Sequence, residues 1–254
     1  MIFWTALRKE LLEQWRSYRM LIVGVVLLLF GGFLAPMTAK YTPELVRALV
    51  PNGDELVGLM PEPTVAVAVQ EYVENLGQFG VLIALLVAMG VVAQEKEKGT
   101  AALMLVKPLP RGVFLLAKFA ALSLSFALGM LVTAAVGYYY TMLLFKAPDL
   151  LSWLALNGLL LTVMLVYVAL TLFCSTLTES QVVAGGLAFG MLILLSVLGA
   201  LPKINEWLPG QLTRWAGRLM QAGSAAAWPA LAGSIGLIVV ALAGAWLVFK
   251  RQEL

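Results

Sequence analysis

The chain of 254 residues is 61% apolar and only 12% charged, with 17 Lys and Arg against 14 Asp and Glu. Soluble domains carry about 25% charged residues, so a water-soluble globule and a disordered chain are excluded in favour of a polytopic membrane protein. The absence of histidine removes imidazole acid–base chemistry and imidazole metal sites, and the single Cys174 permits no intrachain disulfide.

Residues 1–18 are amphipathic. Phe3, Leu7, Leu11, Trp15 and Tyr18 recur at helical spacing, while Arg8, Lys9, Glu10, Glu13, Gln14 and Arg16 cover the opposite face. This pattern predicts a helix lying in the membrane interface, turning into the bilayer at Arg19. Its polar face either anchors at the membrane surface alone or also touches a cytoplasmic partner.

Six charge-poor runs follow, each long enough to cross about 30 Å of hydrocarbon as a helix. They predict transmembrane helices at 19–37, 76–93, 119–144, 151–177, 182–201 and 229–249. Barrel strands would instead alternate with period two in short segments. The first run is too long for the apolar region of a cleaved signal peptide. The expected fold is therefore all-α, a single transmembrane domain over 1–254, with Trp153, Trp228 and Trp246 at helix ends.

With the N-terminus inside, the cytoplasmic segments hold eleven Lys and Arg and six acids, and the outer segments hold six and eight. The positive-inside rule then puts both termini in the cytoplasm, in a multi-pass protein of the plasma (inner) membrane.

The outer segment 38–75 predicts a short helix from Thr42-Pro43-Glu44 to Val50, ended by the turn Pro51-Asn52-Gly53. Pro61 and Pro63 break the chain again before Thr64. Segment 202–228, rich in Pro, Gly and Trp, predicts short broken helices dipping into the outer leaflet, which is tolerated only against protein or water. In the fifth helix Gly186 and Gly190 form a GxxxG pair, suited to close helix packing within the chain or between two chains.

The segment 94–112 between the second and third spans carries the most information. A charged cluster, Gln94-Glu95-Lys96-Glu97-Lys98, ends the second helix, and Gly99 permits a sharp turn. Thr100 can cap a helix of about two turns, apolar through Leu103, Leu105 and Val106 and stopped by Pro108 and Pro110. Such a helix suits a groove on another protein, or lies against the chain's own cytoplasmic ends.

The order Glu95, Glu97, Gly99, Thr100, a leucine-rich helix, Pro108, Arg111 and Lys118 resembles the first coupling segment of ABC type-2 exporter permeases. The N-terminal Arg8-Lys9-Glu10-Leu11 resembles that family's interfacial helix, and the six-span layout fits nearly the whole length. The resemblance implies half of a type V exporter, paired with a second permease copy or homologue and docked on two cytoplasmic ATPase subunits. In that scheme Glu95 and Glu97 contact the ATPase, and Gly99, Thr100 and Pro108 shape the coupling helix. Arg111 and Lys118 either join them or anchor in the headgroups. Glu179, the one charge in the loop 178–181, marks the second cytoplasmic contact, and Arg16 and Arg19 complete the basic set of the interfacial helix.

The absences are consistent with this scheme. No GxxxxGK[ST] occurs, so ATP and Mg2+ are expected on the partner subunit and no cofactor or enzymatic activity on this chain. No charged residue is expected inside a span, where ion-coupled transporters usually carry one. The rival readings are a secondary transporter or channel, with Gln78, Thr133, Asn157, Thr162 and Ser196 as its polar candidates, and a non-transporting scaffold subunit. Membrane lipid is an expected partner, nucleic acid is not, and the outer loops could meet an extracytoplasmic protein. The substrate is not legible.

Overall fold

The computed structural model of the chain describes residues 2–99, 110–220 and 225–252. The helix expected at 100–107, with Thr100, Leu103, Leu105 and Pro108, lies outside the described residues. Among those described there is no strand, and six helices are long and apolar enough to cross a membrane.

An N-terminal helix, α1 (Ile2–Arg16), precedes the first span, α2 (Arg19–Leu49), and the chain reverses between them at Tyr18 in the left-handed region (φ 59°). A single turn of helix, α3 (Gly53–Val57), leads to the second span, α4 (Val65–Glu97). The third and fourth spans are α5 (Arg111–Leu144) and α6 (Leu150–Leu177). Then come the fifth span α7 (Gln181–Leu198), the short α8 (Pro202–Asn205) and α9 (Pro209–Arg218), and the sixth span α10 (Trp228–Arg251).

Several helices extend beyond their expected ends. The segment 38–75 is largely helical: α2 runs on to Leu49 with Pro43 inside it, and α4 already begins at Val65. The break expected at Thr42 is absent because Ala35, Pro36 and Ala39 are buried against the first turns of α4, and that packing outweighs the one backbone bond Pro43 removes. The turn at Pro51-Asn52-Gly53 is present, with Asn52 at φ 60°. The third span starts at Arg111, eight residues before the expected position, directly after Pro110.

α6 is the central element and packs against α4, α5, α7, α9 and α10. Two-thirds (67%) of the apolar windows of α4 and α6 is buried, against 11% for α7 and 17% for α10. Trp153 stands in the first turn of α6, at a helix end as expected, and is buried against protein. Its Nε1 donates to Ala134 O at 3.0 Å, and its ring lies 4.7 Å from that of Tyr72.

Two spans depart from regular α geometry where they meet. α2 widens to π-helical turns over Leu28–Leu34 and α4 over Leu76–Gly80. Phe30 and Phe79 stack there at 3.6 Å, and Asn75 Nδ2 donates to Phe30 O at 3.3 Å. Widened turns free backbone carbonyls for such contacts. α4 breaks a second time at Met89, where Ser175 of α6 enters the gap. Its Oγ donates to Met89 O at 2.8 Å and accepts from the N–H groups of Val92 and Ala93 at 3.1 and 2.9 Å.

Candidate functional site

The described residues expected to couple to a partner gather at the end of the bundle that carries the termini, and they divide into a buried and an exposed set. α1 packs on α5 and α2 with its polar side inward. Glu10 and Gln14, one turn apart, are buried, while Trp4, Leu12 and Trp15 are exposed. The helix is therefore amphipathic as expected, but its inner stripe of polar residues meets protein rather than solvent.

The reason is Lys118. Two turns into α5 and 1% exposed, it donates to Glu10 Oε2 at 3.0 Å and to Glu95 Oε1 of α4 at 2.8 Å, with its ammonium 4.8 Å from the Phe114 ring. Lys9 closes the cluster, donating to Glu10 Oε1 at 3.0 Å, Glu13 Oε2 at 2.9 Å and Glu95 Oε1 at 3.3 Å. Gln14 Oε1 accepts from Ser125 Oγ at 2.5 Å one turn deeper. A lone ammonium could not be buried at this depth without such partners. Lys118 lies within the third helix, one residue before the charge-free stretch 119–144.

Burial alone would lower the Lys9 pKa, but the carboxylates of Glu10, Glu13 and Glu95 outweigh it and hold the ammonium well above its ordinary range. Burial likewise acts to raise Glu13, and its hydrogen bond to Lys9, with Lys118 and Arg19 nearby, brings it below the usual carboxylate range. Carboxylate oxygens of Glu10, Glu13 and Glu95 lie within 4.8 Å of one another. The two lysine ammoniums already occupy the positions a cation would take, so the donor set describes an ion-pair cluster and not a metal site.

Arg111 plays a different part. Its guanidinium donates to the carbonyls of Phe249, Lys250 and Gln252 at 2.7, 2.9 and 2.8 Å, and so closes the C-terminal end of α10. Cations favour that end of a helix, where carbonyls lack internal partners. Phe114 stacks on Phe249 at 5.4 Å, and Thr176 O accepts from both Lys96 Nζ (2.6 Å) and Gln252 Nε2 (3.0 Å). Arg19 donates to Gln94 Oε1 at 2.9 Å, and Gln94 donates to Gln181 at 2.6 Å, joining α2, α4 and α7.

The exposed set comprises Arg8, Arg16, Glu97, Gly99 and Glu179. Gly99 sits at φ +67° with open space around it, so the turn expected there is formed. Gly186 and Gly190 lie on the open face of α7, where an added Cβ would meet nothing; the inner face uses Ala184 and Ala188.

Three of the five polar candidates of the spans are hydrogen-bonded within the protein. Thr162 and Ser196 donate to carbonyls of their own helices, and Asn157 accepts from Tyr72 while donating to Trp153 O. Gln78 is exposed, and Thr133 is buried without a hydrogen bond among the described residues.

Sequence reading missed the joining of α1, α4 and α5 through Lys118. The signal was present: Pro110 sets the helix start at Arg111, which places Lys118 two turns inside, and Glu10 and Gln14 are spaced to share one face. Residues 4–204, which hold the N-terminal helix and the first five spans, match a family model, ABC-2 family transporter protein. The chain belongs to the ABC-2 transporter family. It is also 25% identical over 256 residues to the uncharacterized transmembrane protein YxlG of Bacillus subtilis (strain 168), covering 97% of this chain and 96% of that protein. Membership accounts for the multi-pass helical architecture and makes the chain a membrane component of an ABC transporter.

Proposed function

We propose that this ABC-2 protein is the permease subunit of an exporter, lining the translocation pathway as a dimer and coupled to two separate cytoplasmic ATPase subunits. The observation that carries the reading is the family match over residues 4–204, which includes the coupling segment and the helices beneath it. Both termini face the cytoplasm of a plasma (inner) membrane, as the basic residues favour. ATP and Mg2+ are held by the partner, and no chemistry is assigned to this chain.

The exposed Glu97, Gly99 and Glu179, with the segment through Thr100, Leu103, Leu105 and Pro108, form the ATPase-docking surface. Glu95, Lys118 and Arg111 act behind it. A push on that surface reaches α1 and α5 through the ion-pair cluster and α10 through Arg111, so these helices move as one body between inward- and outward-facing states. The apolar outer side of α1, with Trp4 and Trp15, rests in membrane lipid. The open face of α7, with Gly186 and Gly190, meets the second permease copy or homologue. The local satisfaction of Thr162, Ser196 and Asn157 weighs against an ion-coupled secondary transporter.

Purification of the full chain in mild detergent should recover a P-loop ATPase in about equal amount. Recovery of the chain without any such ATPase, under conditions that preserve other membrane complexes, would refute the assignment. Cross-linking through cysteines placed at Gly186 or Gly190 reports the dimer separately.

A further inference from the structure

At the end of the bundle away from the termini, α9 has two distinct faces. Leu212, Trp215 and Ala216 are buried, and α9 packs against α4, α6 and α10. Arg214 and Arg218 are exposed on the other side. Opposite them stands the start of α4, and between the two helices lies a cavity of about 590 Å³ lined by Gln70, Glu74, Thr213, Arg214, Gly217 and Arg218. The helices approach closely at its edges: a Cβ on Gly217 would come within 2.9 Å of Gln70 Oε1, and one on Gly77 within 3.1 Å of Thr213 Cγ2.

The charges in this cavity are arranged in an unusual way. Arg214 and Arg218 are four residues apart on one helix face, a spacing at which like charges repel. Neither makes an ion pair with a carboxylate among the described residues. Arg218 Nε donates only to a backbone oxygen, Arg214 O, at 3.2 Å. Glu74, on the facing wall, is held by Gln70 Nε2 at 2.6 Å rather than by either arginine. Arg214 Nη1 donates to the side-chain oxygen of Asn205 at 3.1 Å, a neutral partner, so two guanidiniums without a carboxylate partner line a space large enough for a headgroup, with Glu74 on the facing wall.

The depth of the cavity is marked by indoles. Trp215, on the same helix as both arginines, packs edge-on against Trp228 at 5.5 Å, and Trp228 and Trp207 are exposed beside it. Tryptophans of this kind concentrate at the headgroup layer of a bilayer. Guanidinium groups bind phosphate oxygens with two parallel hydrogen bonds, a geometry a lysine cannot supply.

We propose that this cavity is a phospholipid headgroup site, in which Arg214 and Arg218 take the phosphodiester and Glu74 takes a primary ammonium. Phosphatidylethanolamine carries both groups and matches both walls; phosphatidylglycerol satisfies the arginines alone. Lipid binding here is independent of whether an ATPase docks at the opposite end.

Native mass spectrometry of the full chain in mild detergent, titrated with phosphatidylethanolamine, phosphatidylglycerol or inorganic phosphate, tests the site. The wild type should retain phosphatidylethanolamine in preference to phosphatidylglycerol. R214Q/R218Q should bind either lipid about tenfold more weakly, as loss of charge-assisted hydrogen bonds implies, while R214K/R218K should keep part of the affinity. E74Q should bind phosphatidylglycerol as before and lose the preference for phosphatidylethanolamine. Unchanged lipid retention in R214Q/R218Q overturns the proposal. Should that variant fail to fold, R214Q and R218Q are read singly, and an unaltered lipid preference in E74Q is equally adverse. Displacement of the lipid by millimolar inorganic phosphate would make this a site for free anions and overturn the lipid assignment.

Discussion

Lys118 of α5 and Glu10 of α1 meet at 3.0 Å although 108 residues separate them, and both side chains are buried. With Glu95 on the other side of the same ammonium, three helices converge on one charged atom. Breaking a buried cluster by removing one partner costs more than the pair contributes, because Glu10, Glu13 and Glu95 are then left to share the single, half-exposed Lys9 ammonium. Lys118→Met should therefore destabilise the protein by about 3 kcal/mol, read as a lower thermal midpoint in detergent. The triple variant K118M/E10Q/E95Q should recover part of that loss.

Arg111 closes the last turn of α10 through three carbonyls. Arg111→Ala should raise amide hydrogen exchange over residues 246–251 by about tenfold, corresponding to the lost charged hydrogen bonds. Exchange in α6 should stay unchanged. Arg111→Lys should restore less than half the protection, since the shorter, strongly hydrated ammonium does not reproduce the reach and planar fork that bring Nη1 to all three carbonyls.

Ser175 occupies the break in α4 at Met89. Ser175→Ala removes an acceptor for two backbone N–H groups and a donor to one carbonyl in a buried site, at a cost of about 1–3 kcal/mol. The thermal midpoint should fall, while Ser123→Ala, which loses only a bond to its own helix at Phe119, should leave it nearly unchanged.

The docking of α1 depends on pH in a direction set by its ions. The Lys9 pKa is raised, so its contribution is present below the ordinary lysine value and lost only in strong alkali. The Glu13 pKa is lowered, so its contribution is full above about 4.3 and disappears as the pH falls through the folded value. Limited proteolysis between α1 and α2, near Ser17, should accelerate only below about pH 4. Glu13→Gln should remove that acid-side rise.

Gly99 holds a left-handed backbone. Gly99→Val should strain the turn by about 1–2 kcal/mol and lower ATP-driven transport by reconstituted complexes while insertion and yield are kept. Gly99→Asn should retain more transport, since Asn tolerates this conformation. Equal transport by all three proteins would contradict the role given to this turn.

The spans were legible because hydrocarbon excludes charge, and the runs between charged residues record that exclusion. The turn at Pro51-Asn52-Gly53 was legible for a local reason: Asn and Gly are the residues that tolerate its backbone. Pro43 misled, because a local signal for a break was overridden by the packing of Ala35 and Ala39 against α4. The inward side of α1 was not legible. Periodicity separates a polar from an apolar face but does not tell which meets protein, and that choice depends on Lys118, more than a hundred residues away. The π-helical turns at Leu28–Leu34 and Leu76–Gly80 have no sequence signature, since they arise where two spans press together.

The hydroxyl of Ser175 has one proton and two lone pairs, and all three are committed: the proton to Met89 and the lone pairs to Val92 and Ala93. A water molecule could bond this hydroxyl only by displacing one of the three backbone groups it holds. The break in the second span is thereby tied to one side chain of the fourth, so its kink is set by contact between two helices and not by its own sequence.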